Sequence, residues 1–147
     1  MPKALERAIA SAALAAFPRE CCGLIEGVRE EGGFVACRIH PARNLSQAAN
    51  RFEIDPKDHV AAVKVARSGG QAIIGCYHSH PGGAAIPSQR DLARAGEEDF
   101  LWLIAAADGG ECEIAAFVYR GEDGFVPVSF SRAEGADLVT SSSNERS

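Results

Sequence analysis

The residues best equipped for chemistry stand in one stretch, Tyr77-His78-Ser79-His80-Pro81, followed by Pro87-Ser88-Gln89-Arg90-Asp91. In an extended strand, residues two apart point to the same face. His78 and His80 therefore bring two imidazoles to one side of a strand end, and Pro81 stops the pairing behind them. A loop of small residues, Gly82-Gly83-Ala84-Ala85, then leads to Ser88-x-x-Asp91. That tetrapeptide has the form of a helix-opening capping box, with Asp in place of the usual Glu. The chain can thus fold back and set a carboxylate beside the two imidazoles. Two His and one carboxylate are a recurrent ligand set for catalytic zinc. The fourth position stays open for a water whose pKa the metal lowers to about 7. Each half of the pattern also has an ordinary reading: His-x-His arises by chance, and an Asp in a first helical turn complements the helix dipole. Spacing alone supplies no general base.

The surrounding elements must position these side chains. Residues 3–16 are rich in Ala, Leu and Glu, with Leu5, Ile9, Ala12, Ala13 and Ala16 at helical spacing, and Pro18 marks the end. Residues 22–28 and 34–40 read as two strands joined by a turn at Glu30-Glu31-Gly32-Gly33. Residues 41–51 are polar and irregular, and Phe52 with Ile54 suggests a short strand. Asp55 is a good N-cap before Pro56, so a helix is expected whose apolar face holds His59, Val60, Val63 and Ala66 and which stops at Gly69-Gly70. Residues 71–78 read as a buried strand, and a short helix follows Ser88. Residues 100–106 and 112–119 read as strands, and 125–130 as an edge strand because Pro127 cannot donate to a ladder. The expectation is one α/β domain over residues 1–133, a mixed sheet flanked by helices, with a disordered tail at 134–147.

At the His-x-His stretch the sequence resembles the JAMM (JAB/MPN) metallopeptidase family, whose signature is H-[ST]-H-P, six residues, then S-x-x-D. The family's upstream Glu lies in a segment like P-x-E-x-C-G-L, and here the chain reads Pro18-Arg19-Glu20-Cys21-Cys22-Gly23-Leu24. The resemblance implies a fold similar to that of cytidine deaminases, and one zinc held by His78, His80 and Asp91. It implies that Glu20 serves as general base and then general acid, and that Ser88 donates to the oxyanion. Ser79 has no assigned role and should point away from the imidazoles. Glu97 and Glu98 compete for the role of base, although their helix should turn them to solvent. Cys76 shares the strand face of the two His and is a rival candidate, as a fourth ligand or as a thiol paired with His78. A deaminase would need H-x-E and P-C-x-x-C, and the chain has neither.

Members of that family cut peptide or isopeptide bonds, often after the C-terminal Gly-Gly of ubiquitin or a ubiquitin-like protein. The small stand-alone prokaryotic type resembles this chain most, and some of those act on sulfur-carrier proteins. The implied partner is such a C-terminus or another peptide. A peptidase of cell-wall or phage-tail type and a non-catalytic scaffold are the alternatives, though scaffolds typically lack a ligand and this chain keeps all three. Diglycine has no side chains and suits a narrow groove, which the small loop at 82–85 would leave open. The resemblance carries no single oligomeric state; a dimer is one expectation, and iron or cobalt could replace zinc.

Composition narrows the classes. The chain has 147 residues, a usual domain size, and a net charge of −5 with scattered Lys and Arg, so the basic footprint of nucleic-acid binding is missing. The five cysteines, Cys21, Cys22, Cys37, Cys76 and Cys112, are odd in number and form no C-x-x-C pair. They read as small buried residues in a reducing compartment. The first seventeen residues hold Glu6 and Arg7 and no small-residue cleavage site, and no apolar run approaches a membrane span of about 20 residues. The expected location is the cytoplasm, away from membranes.

Overall fold

The computed structural model describes residues 1–108, 110–130 and 138–140. Helix α1 (Lys3–Ala16) occupies the Ala/Leu/Glu stretch and buries Ile9 and Ala13. Strands β1 (Cys22–Glu30) and β2 (Gly33–Ala42) form the first hairpin. Its turn is closed by Gly32 at φ 86°, a conformation in which a Cβ would be strained. Helix α2 (Pro56–Ser68) opens where the Asp55 side chain accepts the Lys57 N–H at 2.9 Å. Then follow β3 (Ala72–Pro81), the short helix α3 (Gln89–Arg94), β4 (Phe100–Asp108), β5 (Glu111–Tyr119), β6 (Phe125–Phe130) and β7 (Leu138–Thr140).

The strands run in the order β1-β2-β7-β6-β5-β4-β3 and close back on β1. The expected mixed sheet is therefore curled into a barrel. Its parallel pair is β3 with β4, from Gly75↔Leu101 to Pro81↔Ala107. A parallel pair needs a crossover connection, and here the crossover carries α3.

A bulge in β3 decides which side chains face the chemistry. Ile25 pairs with Gly75 and Glu26 with Ile73, which leaves Ile74 as the extra residue. Beyond it, Tyr77 joins Ile9, Ala13, Ile25, Ile74 and Leu103 in the core under α1. Cys76 packs instead with Cys22, Leu24, Phe52, Ala62 and Trp102 in a second core under α2. Strand alternation then carries His78 and His80 to the α2 side and Ser79 to the α1 side.

Several expectations need correction. The buried face of α2 is Ala62 and Ala66, whereas His59 is exposed and Val60 is 55% exposed. Small residues let the helix lie close on the sheet, and the larger Val60 is left outside. Phe52 and Ile54 make no strand; a single bridge joins Ile54 to Asn44, because the Asn44 side chain takes over the pairing of this segment. Strand β6 is not at an edge, since Ser129 and Phe130 pair with Thr140 and Val139. Among the described residues Pro127 faces Phe117 on β5. Glu97 and Glu98 follow α3 in a turn and are not on a helix. The expected tail at 134–147 lies outside the described residues except for Leu138–Thr140, which pair as β7.

Candidate metal centre

The end of β3 and the first turn of α3 bring His78, His80 and Asp91 together. His78 Nε2 and His80 Nε2 stand 3.0 Å apart. Asp91 Oδ1 is 3.1 Å from the first and Asp91 Oδ2 is 3.2 Å from the second. Asp91 is set by the capping box: Ser88 Oγ accepts the Asp91 N–H at 3.1 Å, and the Ser88 N–H donates to Asp91 Oδ2 at 2.9 Å. Ser88 thus keeps its hydroxyl hydrogen free to donate elsewhere.

The two imidazoles are held by different means. His80 Nδ1 lies 3.0 Å from the Ala84 carbonyl, an acceptor for a proton on Nδ1, which turns Nε2 toward the cluster. His78 is fully buried, and among the described residues its Nδ1 has no hydrogen-bond partner. Its ring is instead stacked on Phe52, with centroids 4.4 Å apart and planes 20° apart, and meets the edge of Trp102 at 5.8 Å. Arg94 covers the other side of Phe52 at 4.7 Å.

Burial alone would raise the Asp91 pKa, but hydrogen bonds from His78 and His80 outweigh it and hold the carboxylate well below its usual range. Burial lowers the pKa of His78, so that ring is kept neutral. At His80 burial also works to lower it, but the Asp91 hydrogen bond and the Ala84 carbonyl win and the pKa rises.

These residues suit a metal ion. Nitrogen and oxygen ligands about 2.0–2.1 Å from a tetrahedral zinc stand about 3.3–3.4 Å from one another, close to the separations seen here. Three acceptor-rich atoms converging in a nearly water-free place repel one another unless a cation, or shared protons, lies between them.

Glu20 sits between α1 and β1 and is 7% exposed. It lines one groove of about 320 Å³ with His80, Ser88 and Arg90. Burial raises its pKa from 4.5 to about 7, and Asp91 adds to the rise while His80 and Arg90 oppose it. The backbone around Glu20 is clamped on both flanks. Asn44 Nδ2 donates to the Glu20 carbonyl at 3.0 Å, and the Cys21 N–H donates to Ser79 Oγ at 2.8 Å. Asn44 also donates to the Arg51 carbonyl and accepts from the Ser46 and Glu53 N–H groups, which fixes the loop that walls the groove. Asn44, Phe52 and the clamping role of Ser79 were not read from the sequence. A lone Asn in a polar stretch and a lone Phe before a helix give no periodic signal, and only the Asx-type turn propensity of Asn44 could have drawn notice.

The rival candidates lie apart. Glu97 is exposed and pairs with Arg29 at 3.4 Å. Cys76 is buried against Trp102 and Leu24, and burial pushes its thiol far above the usual range, so it is no ready nucleophile. All five cysteines are unpaired, with Cys22 and Cys76 buried, Cys21 and Cys112 half-buried, and Cys37 exposed.

The comparisons with known proteins agree with this picture. The family model for prokaryotic homologs of the JAB domain matches residues 2–118. The chain belongs to that family. It is 32% identical over 93 residues to a desampylase of Haloferax volcanii, covering 63% of this chain and 66% of that protein. It is 31% identical over 102 residues to a probable TtuB-protein conjugate cleaving protease of Thermus thermophilus, covering 69% of this chain and 62% of that protein. It is also 32% identical over 106 residues to tail tip assembly protein K of Escherichia phage N15, covering 71% of this chain and 39% of that protein. The matches thus span less than two thirds of these relatives' lengths.

Proposed function

We propose that this chain is a zinc-dependent peptidase that hydrolyses a peptide or isopeptide bond at the C-terminal Gly-Gly of a ubiquitin-like or sulfur-carrier protein. The observation that carries the reading is the convergence of His78, His80 and Asp91 within 3.0–3.2 Å, beside a nearly buried Glu20 in a shared groove. The names of the Haloferax and Thermus relatives support the substrate class. Five unpaired cysteines support a reducing, cytoplasmic setting, and no helix among the described residues is long and apolar enough to cross a membrane.

His78, His80 and Asp91 would hold the ion, which when bound supplies Lewis-acid chemistry and an acidified water. Glu20 takes the proton of the attacking water at its carboxylate and returns it to the leaving amine. Burial by itself pushes its carboxyl up from the ordinary carboxylate range, which favours a group that can both take and return a proton. The Ser88 hydroxyl donates to the oxygen that becomes negative as the carbonyl is attacked. Asn44 and Ser79 keep Glu20 in place, so little ordering remains to be done when substrate arrives.

The test is hydrolysis of a ubiquitin-like protein carrying a peptide after its Gly-Gly, with zinc and with a chelator. Cleavage at Gly-Gly that the chelator and Glu20→Gln both abolish is expected. The phage relative favours a second reading, a peptidase of cell-wall or phage-tail type. Zinc-dependent cleavage of cell-wall peptides in place of the Gly-Gly substrate would establish that reading and displace the first.

A further inference from the structure

Asp91 reaches the centre on a helix that has little else to hold it. Helix α3 is six residues long, and among the described residues of that helix only Asp91 is buried. A helix this short is marginal by itself. The Ser88 capping box fixes its start, while Leu92 is 48% exposed and Ala93 is exposed as well. His78 comes from a different element, β3, and its ring is ordered by Phe52, which stands ahead of α2.

Arg94 joins these two parts. It lies in the last turn of α3, three residues beyond Asp91, so both side chains leave nearly the same face of the helix. Its guanidinium lies over the Phe52 ring, 4.7 Å from the centroid, and the His78 ring stacks on that same Phe52 at 4.4 Å. Asp91 Oδ1 is in turn 3.1 Å from His78 Nε2. The contacts form a closed circuit: α3 grips one imidazole twice, directly through Asp91 and indirectly through Arg94 and Phe52.

We propose that Arg94 is a positioning residue for the metal centre. By holding Phe52 it pins α3 to the His78 ring, and so sets Asp91 and His78 in register before a cation arrives. The proposal rests on the metal reading above and adds to it a residue outside the ligand set. Two simpler roles for Arg94 predict different results. A positive charge acting only through space repels a cation, so its loss would tighten metal binding. A cation that only complements the C-terminal end of the α3 dipole acts whether or not Phe52 is present. A pin weakens binding when it is removed, and does so only while Phe52 is there to be held.

The experiment measures zinc affinity of the full chain by competition with a chromogenic chelator. It compares the native protein with Arg94→Ala, Arg94→Lys, Phe52→Leu and the double variant Phe52→Leu/Arg94→Ala. Arg94→Ala is expected to bind zinc about two- to fivefold more weakly, the change that an exposed cation–π contact corresponds to. Arg94→Lys keeps part of the native affinity, because an ammonium can still sit over the ring. In the Phe52→Leu background, Arg94→Ala is expected to cause no further loss. Affinity unchanged or raised in Arg94→Ala, or the same loss with and without Phe52, would overturn the role of Arg94 and leave the metal site standing. A native chain that takes up no zinc would remove the metal reading, and this proposal with it.

Discussion

Replacing Phe52 with leucine tests how His78 is held. A metal-binding His normally donates its second ring N–H to a carboxylate or carbonyl, which fixes the ring. Among the described residues His78 Nδ1 has no such partner, and the ring is held between Phe52 and Trp102. Phe52 makes two aromatic contacts, with His78 at 4.4 Å and with Trp102 at 6.2 Å. Each such pair contributes about 0.5–1.5 kcal/mol beyond area burial, so leucine forfeits about 1–3 kcal/mol of stability. The share on the His78 ring, about 0.5–1.5 kcal/mol, would weaken metal binding about 2- to 12-fold. Denaturant unfolding of the metal-free protein measures the first quantity, and competition with a chromogenic zinc chelator measures the second. Stability lost with zinc affinity unchanged would refute the reasoning, because the ring would then be held in place without the stack.

Other consequences are as direct. The Glu20 carboxyl has a folded pKa raised by burial from 4.5 to about 7, so it costs no stability below pH 4.5 and destabilises the metal-free fold as pH rises toward 7. Glu20→Gln should therefore stabilise the metal-free protein at pH 7.5 relative to pH 4.5 by up to about 3 kcal/mol, read by denaturation at the two pH values. Ser79→Ala removes the acceptor of the Cys21 N–H from a buried side chain, at a cost of about 1–3 kcal/mol; turnover should fall while bound zinc is retained, as metal analysis beside a rate assay would show. In Gly75→Ala the new Cβ would stand 2.2 Å from the Leu101 carbonyl oxygen, a clash with backbone that only a shift of β3 from β4 can relieve. A loss of more than about 3 kcal/mol is expected, and a Tm within a few degrees of native would contradict it.

The parts of the molecule written in local chemistry were legible in advance. The capping box predicted the start of α3 and put Asp91 in its first turn. The alternation of His78 and His80 predicted a shared face, and Asp55-Pro56 marked the start of α2. What escaped depends on contacts distant in sequence. The burial of Ala62 beside the expected Ala66, in place of His59 and Val60, reflects how closely α2 lies on the sheet, which hydrophobicity alone does not report. The closure of the barrel turns on Leu138–Thr140 pairing with both β2 and β6, and a three-residue strand has no period to read. The bulge at Ile74 shifts the alternation of β3 ahead of the histidines, and nothing in Ala72-Ile73-Ile74-Gly75 announces it. The clamps on Glu20 join residues 24 and 58 positions apart in the chain, which explains why Asn44 and Ser79 went unnoticed.

The central claim is that His78, His80 and Asp91 form one metal site. Its most direct test is elemental analysis of the purified protein beside His78→Ala, both prepared without chelator and resupplied with zinc. The account predicts one zinc per native chain, mostly lost in the variant, with Glu20→Gln still loaded. A native chain that takes up no zinc, or a His78→Ala chain that holds as much as the native one, would contradict it.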